Sequence, residues 1–118
     1  MNKIDLTKSL PREDWGKFFD QLSTDRRGEH ISIEMLDKEL GDEELIKNAP
    51  LLAMIYDRPG KGDNLAIETG IDEMSYGHSI ESPTEVTTGE NADGEIIAIS
   101  ISEASGRKTL IKIPATAI

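Results

Sequence analysis

The period of the apolar residues changes once along this chain, and that change restricts the folds it can form. Before residue 28, the apolar residues of one segment recur with the spacing of a helix. From residue 30 onward, apolar and polar residues alternate in several short runs, which is typical of half-buried strands. At 118 residues the chain has the length of one domain, so the helix and the strands must share one core.

The helix is predicted over about residues 11–23. Pro11 suits a first helical turn, and Ser9 is a candidate N-cap before it. Four apolar residues follow at positions i, i+3, i+4 and i+7, on one face of the helix: Trp15, Phe18, Phe19 and Leu22. An isolated helix of this length is unstable in water, so we expect this face to pack against the core rather than against a partner protein.

The alternating runs predict six or seven short strands, at residues 30–35, 51–56, 64–69, 73–80, 84–88, 95–102 and 108–113. A glycine-rich turn at residues 58–64 predicts a hairpin between the second and third of these runs. Residues 37–49 are highly charged and are expected to form an exposed connection. The inner face of the sheet is predicted to hold six isoleucines: Ile31, Ile33, Ile67, Ile97, Ile99 and Ile101.

The predicted fold is therefore of the α+β class. One N-terminal helix packs on a twisted antiparallel meander, or on a partly open small β-barrel, of six or seven strands. We expect a single domain over residues 1–118, with an ordered core from about residue 10 to residue 114.

The charge of the chain is strongly negative, with 23 acidic and 13 basic side chains and a net charge of −10. Residues 29–106 hold 18 of the acidic residues and only four basic ones: Lys38, Lys47, Arg58 and Lys61. Such a charge repels phosphate backbones and anionic lipids, so we expect neither nucleic-acid nor membrane binding. High net charge commonly serves solubility alone, and the alternative is attraction of a basic protein partner or of weakly bound cations.

Several classes of function are excluded or disfavoured by composition. The absence of cysteine excludes disulfides, thiolate catalysis and zinc–thiolate sites. The sequence has no run of about 18 apolar residues and no apolar signal-peptide core near its beginning. We therefore expect a cytoplasmic protein with no cofactor and no bound metal.

His78 is the weak candidate for a catalytic residue, because it lies on the predicted inner face with Met74, Tyr76 and Ile80. The other histidine, His30, begins a strand, and neither has a second histidine at metal-ligand spacing. No serine stands in a nucleophile motif. A structural role is favoured for His78, as a hydrogen-bond donor to a backbone carbonyl near the strand end that Pro83 fixes.

Three charged segments match functional motifs only in part. Residues 37–44 could bind a basic partner or a cation, but a solvated loop is the favoured interpretation. Residues 89–94 have the glycine of a calcium loop without its first and last ligands, so a hairpin turn is expected there. Residues 58–63 lack the spacing of a phosphate-binding loop and the helix that follows one.

A series of motifs resembles one family. The helix reads Pro-Arg-Glu-x-Trp-x-x-Phe-Phe from Pro11, and His78-x-Ile80-x-x-Pro83 follows later. Between and after them come Leu-Asp-x-Glu-Leu-Gly from Leu36, residues 52–57, Leu-x-Ile from Leu65 and a closing Thr-Leu-Ile-x-Ile. Over about residues 10–113 the chain resembles the uncharacterised domain of unknown function 5335 family of short prokaryotic proteins. The resemblance implies a complete stand-alone domain and brings no activity, cofactor or site.

No reaction follows from these observations. We expect a non-catalytic protein-interaction or accessory domain, monomeric or homodimeric, whose unknown protein partner is basic if it binds the acidic surface. The alternative is a small ligand-binding or enzymatic β-barrel with a site near His78. That alternative needs a cavity of at least about 300 Å³ that reaches His78.

Overall fold

The computed structural model describes residues 3–58 and 60–115. In chain order, its elements are β1 (Leu6–Leu10), a 3₁₀ turn (Arg12–Asp14), α1 (Trp15–Arg26), β2 (His30–Asp37), β3 (Gly41–Asp57), β4 (Asn64–Thr69), β5 (Tyr76–Glu81), β6 (Pro83–Glu90), β7 (Ile96–Glu103) and β8 (Lys108–Lys112). Pro59 of the predicted 58–64 turn lies outside the described residues, as do the ends of the predicted 1–118 domain, residues 1–2 and 116–118.

The eight strands form one antiparallel sheet in the order β1-β6-β7-β8-β2-β3-β4-β5, and the sheet is not closed. Two runs of sequential neighbours, β6-β7-β8 and β2-β3-β4-β5, are joined where β8 pairs with β2. The predicted hairpin of residues 51–56 and 64–69 is confirmed by the pairing of β3 with β4. The predicted α+β class with one N-terminal helix is also confirmed, with eight strands in place of six or seven.

The sheet curls so strongly that distant strands meet across its inner face. Three strands separate β5 from β8 in the sheet order, yet His78 Nε2 on β5 lies 3.2 Å from Thr109 Oγ1 on β8. Ser82 alone separates β5 from β6, with a left-handed φ of 48°. Its N–H donates to the carbonyl of Asp63 at 2.9 Å, and its carbonyl accepts from Ala104 at 3.3 Å. This corner joins one end of the sheet to the strand next to its other end.

The core lies inside this curl, with α1 packed against β3. The predicted helical face is confirmed, because Trp15, Phe19 and Leu22 are buried and Phe18 is half-buried. All six isoleucines predicted for the inner face are buried. The indole N–H of Trp15 donates to the carbonyl of Leu10 at 3.0 Å, so this buried ring has its polar group satisfied.

The structure has a strand before the helix, where none is predicted. Ser9, the predicted N-cap, instead lies in β1 and pairs with Thr87 of β6. The 3₁₀ turn begins after Pro11, without a side-chain cap. The strand is hard to detect because four of its five residues are exposed, so its sequence lacks an alternating pattern.

The exposed connection predicted at residues 37–49 is wrong. β3 begins at Gly41 and runs for 17 residues, and only a short turn separates it from β2.

Two smaller differences between prediction and structure concern the ends of β5 and β6. Met74 precedes β5 and is exposed, so only three of the four residues predicted for that face lie on the strand. Pro83, predicted to end a strand, begins β6 instead, where its missing N–H costs little.

Candidate functional site

His78 lies half-buried on the inner face of β5, opposite Ile67 of β4. Its ring nitrogen shares a hydrogen bond with the hydroxyl of Thr109, a buried residue of β8. Burial lowers the pKa of His78 below its ordinary value of 6.5, the carboxylate of Glu103 opposes this shift, and Arg107 adds to it. The ring is therefore neutral at neutral pH and joins two distant strands of the curled sheet through a side-chain hydroxyl.

A polar depression of about 440 Å³ lies beside the last residues of β5, where the strand leads into Ser82. Its lining comprises Ser79, Glu81, Ser82, Glu103, Ala104, Ser105 and Arg107, and does not include His78. The hydroxyl of Ser105 donates to Glu103 at 3.0 Å, so part of this lining is already hydrogen-bonded within the protein. A ligand or reaction site at His78 stays a prediction.

His30 is exposed at the start of β2, beside an apolar depression of about 430 Å³. Ile97 of β7, Leu110 of β8 and Ile113, which follows β8, contribute to this depression. Within residues 3–58 and 60–115, no group of three or more histidine and carboxylate side chains is placed to hold a metal ion.

The long strand β3 uses its two edges differently along its length. Its first half pairs with β2 over residues 41–50, and its second half pairs with β4 over residues 51–57. The second half is also covered on its other edge. There the N–H of Met54 donates to Ser23 Oγ of α1 at 2.8 Å, and the main chain of Leu51 exchanges hydrogen bonds with Gly28 and Glu29.

The first half of β3 has no such cover on the edge that faces away from β2. Among the described residues, no strand pairs with this edge from Gly41 to Asn48, and six of these eight residues are exposed. We call this stretch the open edge. Its backbone N–H and C=O groups are available to a further strand, which is the usual template for strand addition.

Carboxylates dominate the open edge and the turn before it. Asp42, Glu43 and Glu44 are exposed and form no ion pair with the rest of the described chain. Asp37 differs, because its Oδ1 accepts from the N–H groups of Glu39 and Leu40, at 2.8 and 3.2 Å. These hydrogen bonds, with Glu39 foremost, lower the pKa of Asp37, and Arg107 contributes in the same direction.

Arg12, in the 3₁₀ turn, is held by contacts from several elements. Its Nη2 donates to the carbonyl of Pro83 at 2.9 Å, and its Nη1 donates to Tyr56 Oη at 3.2 Å. The guanidinium carbon lies 4.4 Å from the centre of the Trp15 ring, a cation–π distance. Nη1 also lies 3.6 Å from Asp63 Oδ1, which has no hydrogen-bond partner among the residues that the structure describes. Arg12 thus links the start of the helix to three strands or turns of the sheet.

An open depression of about 600 Å³ lies beside this arginine, and we call it the Arg12 depression. Its lining residues are Arg12, Glu13, Gly16, Tyr56, Asp57, Arg58 and Lys61. Two of the four basic residues of the acidic region 29–106 are therefore collected here, together with Arg12.

Sequence reasoning did not identify the open edge or the Arg12 depression. Two local features of the sequence could have indicated the depression. Arg12 places a positive charge in the first turn of a helical segment, where the helix dipole favours acidic residues. Gly16 lies inside the first turn of α1, where glycine is unfavourable by about 1 kcal/mol relative to alanine.

These features define a small α+β domain with one helix on an open, curled antiparallel sheet. The chain belongs to the family described as "Family of unknown function (DUF5335)", whose model matches residues 6–116, and this confirms the resemblance seen in the sequence. It is 33% identical over 107 residues to an uncharacterized protein of Aquifex aeolicus (strain VF5), and the alignment covers 91% of each chain. No solved structure matches it significantly.

In the described part of the chain, no helix combines the length and the apolar character that crossing a bilayer requires.

Proposed function

We propose that this protein is a non-catalytic interaction domain that binds an extended basic segment of a protein partner along the open edge. The observation that carries this proposal is the contrast between the two halves of β3. Ser23 and β4 occupy both edges of the second half, while one edge of the first half is left without a partner among the described residues. The charged side chains of this edge discourage pairing with another copy of the same edge, while its unpaired main-chain groups remain a template for a strand of opposite charge.

The negative charges of the open edge favour a basic partner segment over an acidic one. Asp42, Glu43 and Glu44 present three carboxylates on consecutive residues, without a neutralising cation from the described chain. An added strand with lysine or arginine opposite these residues gains both main-chain hydrogen bonds and cross-strand charge pairs. An acidic segment is repelled at the same place, which gives the surface its preference.

An apolar side chain stands at the same end of the hairpin. Leu40, in the turn before β3, is 83% exposed, the largest exposure among the large hydrophobic residues of the described chain. A single exposed leucine is common on protein surfaces, so it does not define a site. Beside the open edge it adds an apolar contact for a partner strand that extends past Gly41.

The test uses a labelled seven-residue peptide of alternating lysine and valine, followed by fluorescence anisotropy. We expect saturable binding that weakens as salt is raised. The variant Asp42→Asn/Glu43→Gln/Glu44→Gln should weaken binding by about twofold to thirtyfold, because lysines on one face of the peptide can pair with Asp42 and Glu44, and each cross-strand charge pair contributes about 0.2–1 kcal/mol. The matched control, Glu73→Gln/Glu85→Gln/Asp93→Asn, removes three other exposed carboxylates and should leave binding nearly unchanged.

A second peptide separates strand addition from charge attraction alone. It carries the same charges but is N-methylated at every residue, so neither of its edges has an N–H donor. We expect this peptide to lose most of its affinity. Equal binding of both peptides, or equal loss in the two triple variants, would contradict the proposal.

A further inference from the structure

The Arg12 depression collects basic side chains on an otherwise acidic molecule. Three of its seven lining residues are basic and two are acidic, in a chain with a net charge of −10. Neither the Arg58 nor the Lys61 side chain forms an ion pair or hydrogen bond within the described chain. Although Glu13 and Asp57 also line the cavity, the charges of Arg58 and Lys61 are not paired with them and remain available to a ligand.

Arg12 supplies a fixed donor at this cavity. Two of its nitrogens are already held by Tyr56 and Pro83, and its plane lies over Trp15, so little side-chain freedom remains to be lost on binding. Its side chain nevertheless stays 44% exposed. A guanidinium has five N–H donors, and the contacts named above leave the Nε donor and part of the Nη2 amine without a protein acceptor.

The shape of the cavity sets the size of the ligand. Its volume of about 600 Å³ lies within the range of small-molecule sites, about 300–1,000 Å³. On one side, a Cβ added at Gly16 would meet no atom within 4 Å, so the helix leaves open space there. On the other side, Tyr56 presents a half-buried aromatic ring.

We infer that the Arg12 depression binds a small phosphorylated molecule, with the phosphate held by Arg12, Arg58 and Lys61. Arginine matches the oxygens of a phosphate with paired N–H donors, and lysine adds a point charge that reaches over the ligand. The remainder of the ligand lies between Gly16 and the ring of Tyr56. This site is separate from the open edge, since it adjoins the opposite end of β3.

The experiment titrates the full chain with phenyl phosphate, at low salt and mildly alkaline pH, and follows the backbone amides by NMR. We expect saturable shifts of the amide signals of Gly16 and Lys61. Succinate, a dicarboxylate with the same charge at this pH, should bind more weakly. Equal or tighter binding of succinate would overturn the assignment to phosphate.

Variants localise the site. Arg58→Gln/Lys61→Gln should weaken phenyl phosphate binding by about tenfold or more, because it removes two charge-assisted contacts to the phosphate. Lys38→Gln/Lys47→Gln changes the net charge equally, away from the cavity, and should bind as the parent does. Absence of saturable shifts in the parent, or the same loss in both double variants, would overturn the inference.

Discussion

Thr69 is completely buried, yet its hydroxyl oxygen has no hydrogen-bond partner in the described chain. Burying an unpaired hydroxyl is costly, and valine fills nearly the same volume without a polar atom. We therefore expect Thr69→Val to raise the free energy of unfolding by about 1 kcal/mol, as measured by urea denaturation. Thr109 provides the matched comparison, because it is equally buried but its hydroxyl bonds to His78.

Thr109→Val should lower the free energy of unfolding by about 1 kcal/mol, since it leaves the half-buried ring of His78 without its partner. If Thr69→Val destabilises the protein as much as Thr109→Val does, then the hydroxyl of Thr69 has a role that its surroundings do not reveal.

Single residues also show why the Arg12 depression was harder to predict from the sequence than the core. The isoleucines of the inner face are fixed by period-two alternation, which is local information. The contacts of Arg12 are not local, because its partners Tyr56 and Pro83 lie 44 and 71 residues further along the chain. No spacing rule connects such positions until the fold brings them together.

At the scale of elements, α1 does more than cover the core. The hydroxyl of Ser23 accepts from the N–H of Met54 at 2.8 Å, and it can donate to the carbonyl of Phe19 or of Met54. A helix side chain thereby takes the place of a neighbouring strand along the second half of β3. Without it, the backbone of Met54 would be part-buried and unpaired.

Ser23→Ala should therefore destabilise the protein by about 1–3 kcal/mol, because the buried N–H of Met54 loses its acceptor. Hydrogen exchange measured by NMR should show reduced protection of the Met54 amide in particular. Thr24→Ala is the control: the hydroxyl of Thr24, at the exposed surface of the same helix, bonds only within the helix. If Ser23→Ala costs no more than Thr24→Ala, then Ser23 does not stabilise this edge.

Strand prediction succeeded where one face of a strand is buried and failed where both faces are exposed. The predicted bounds of β4 match the structure, because its residues alternate between buried and half-buried. β1 and the first half of β3 were missed because most of their residues are exposed, so polar and charged side chains stand on both faces. Their strand form comes from pairing with β6 and β2, which local sequence does not specify.

At the scale of the whole molecule, the excess of ten negative charges opposes folding by self-repulsion. The described residues span 41 × 33 × 31 Å, which is comparable to the Debye length of about 30 Å in 0.01 M salt. In 0.15 M salt this length falls to about 8 Å, and most of the repulsion is screened. Screening also weakens the surface ion pairs, but each of these contributes only about 0–1 kcal/mol.

Raising sodium chloride from about 0.01 to about 0.15 M should therefore raise the Tm. A gain of about 1 kcal/mol corresponds to about 4 °C for a domain of this size, and thermal unfolding followed by circular dichroism measures it. The variant Glu73→Gln/Glu85→Gln/Asp93→Asn, with three fewer negative charges, should respond less to salt. A Tm that falls with added salt would show that attractive ion pairs outweigh the net charge.

The position of β8 in the sheet has a consequence for synthesis in the cell. This strand lies between β7 and β2, so it holds the two runs of sequential strands together. While residues 108–112 are still inside the ribosomal tunnel, the emerged chain lacks the strand that pairs with both β7 and β2, so each of these strands has a bare edge. Folding must therefore be completed after residue 112 has left the ribosome, and until then the nascent chain is exposed to aggregation or dependent on chaperones.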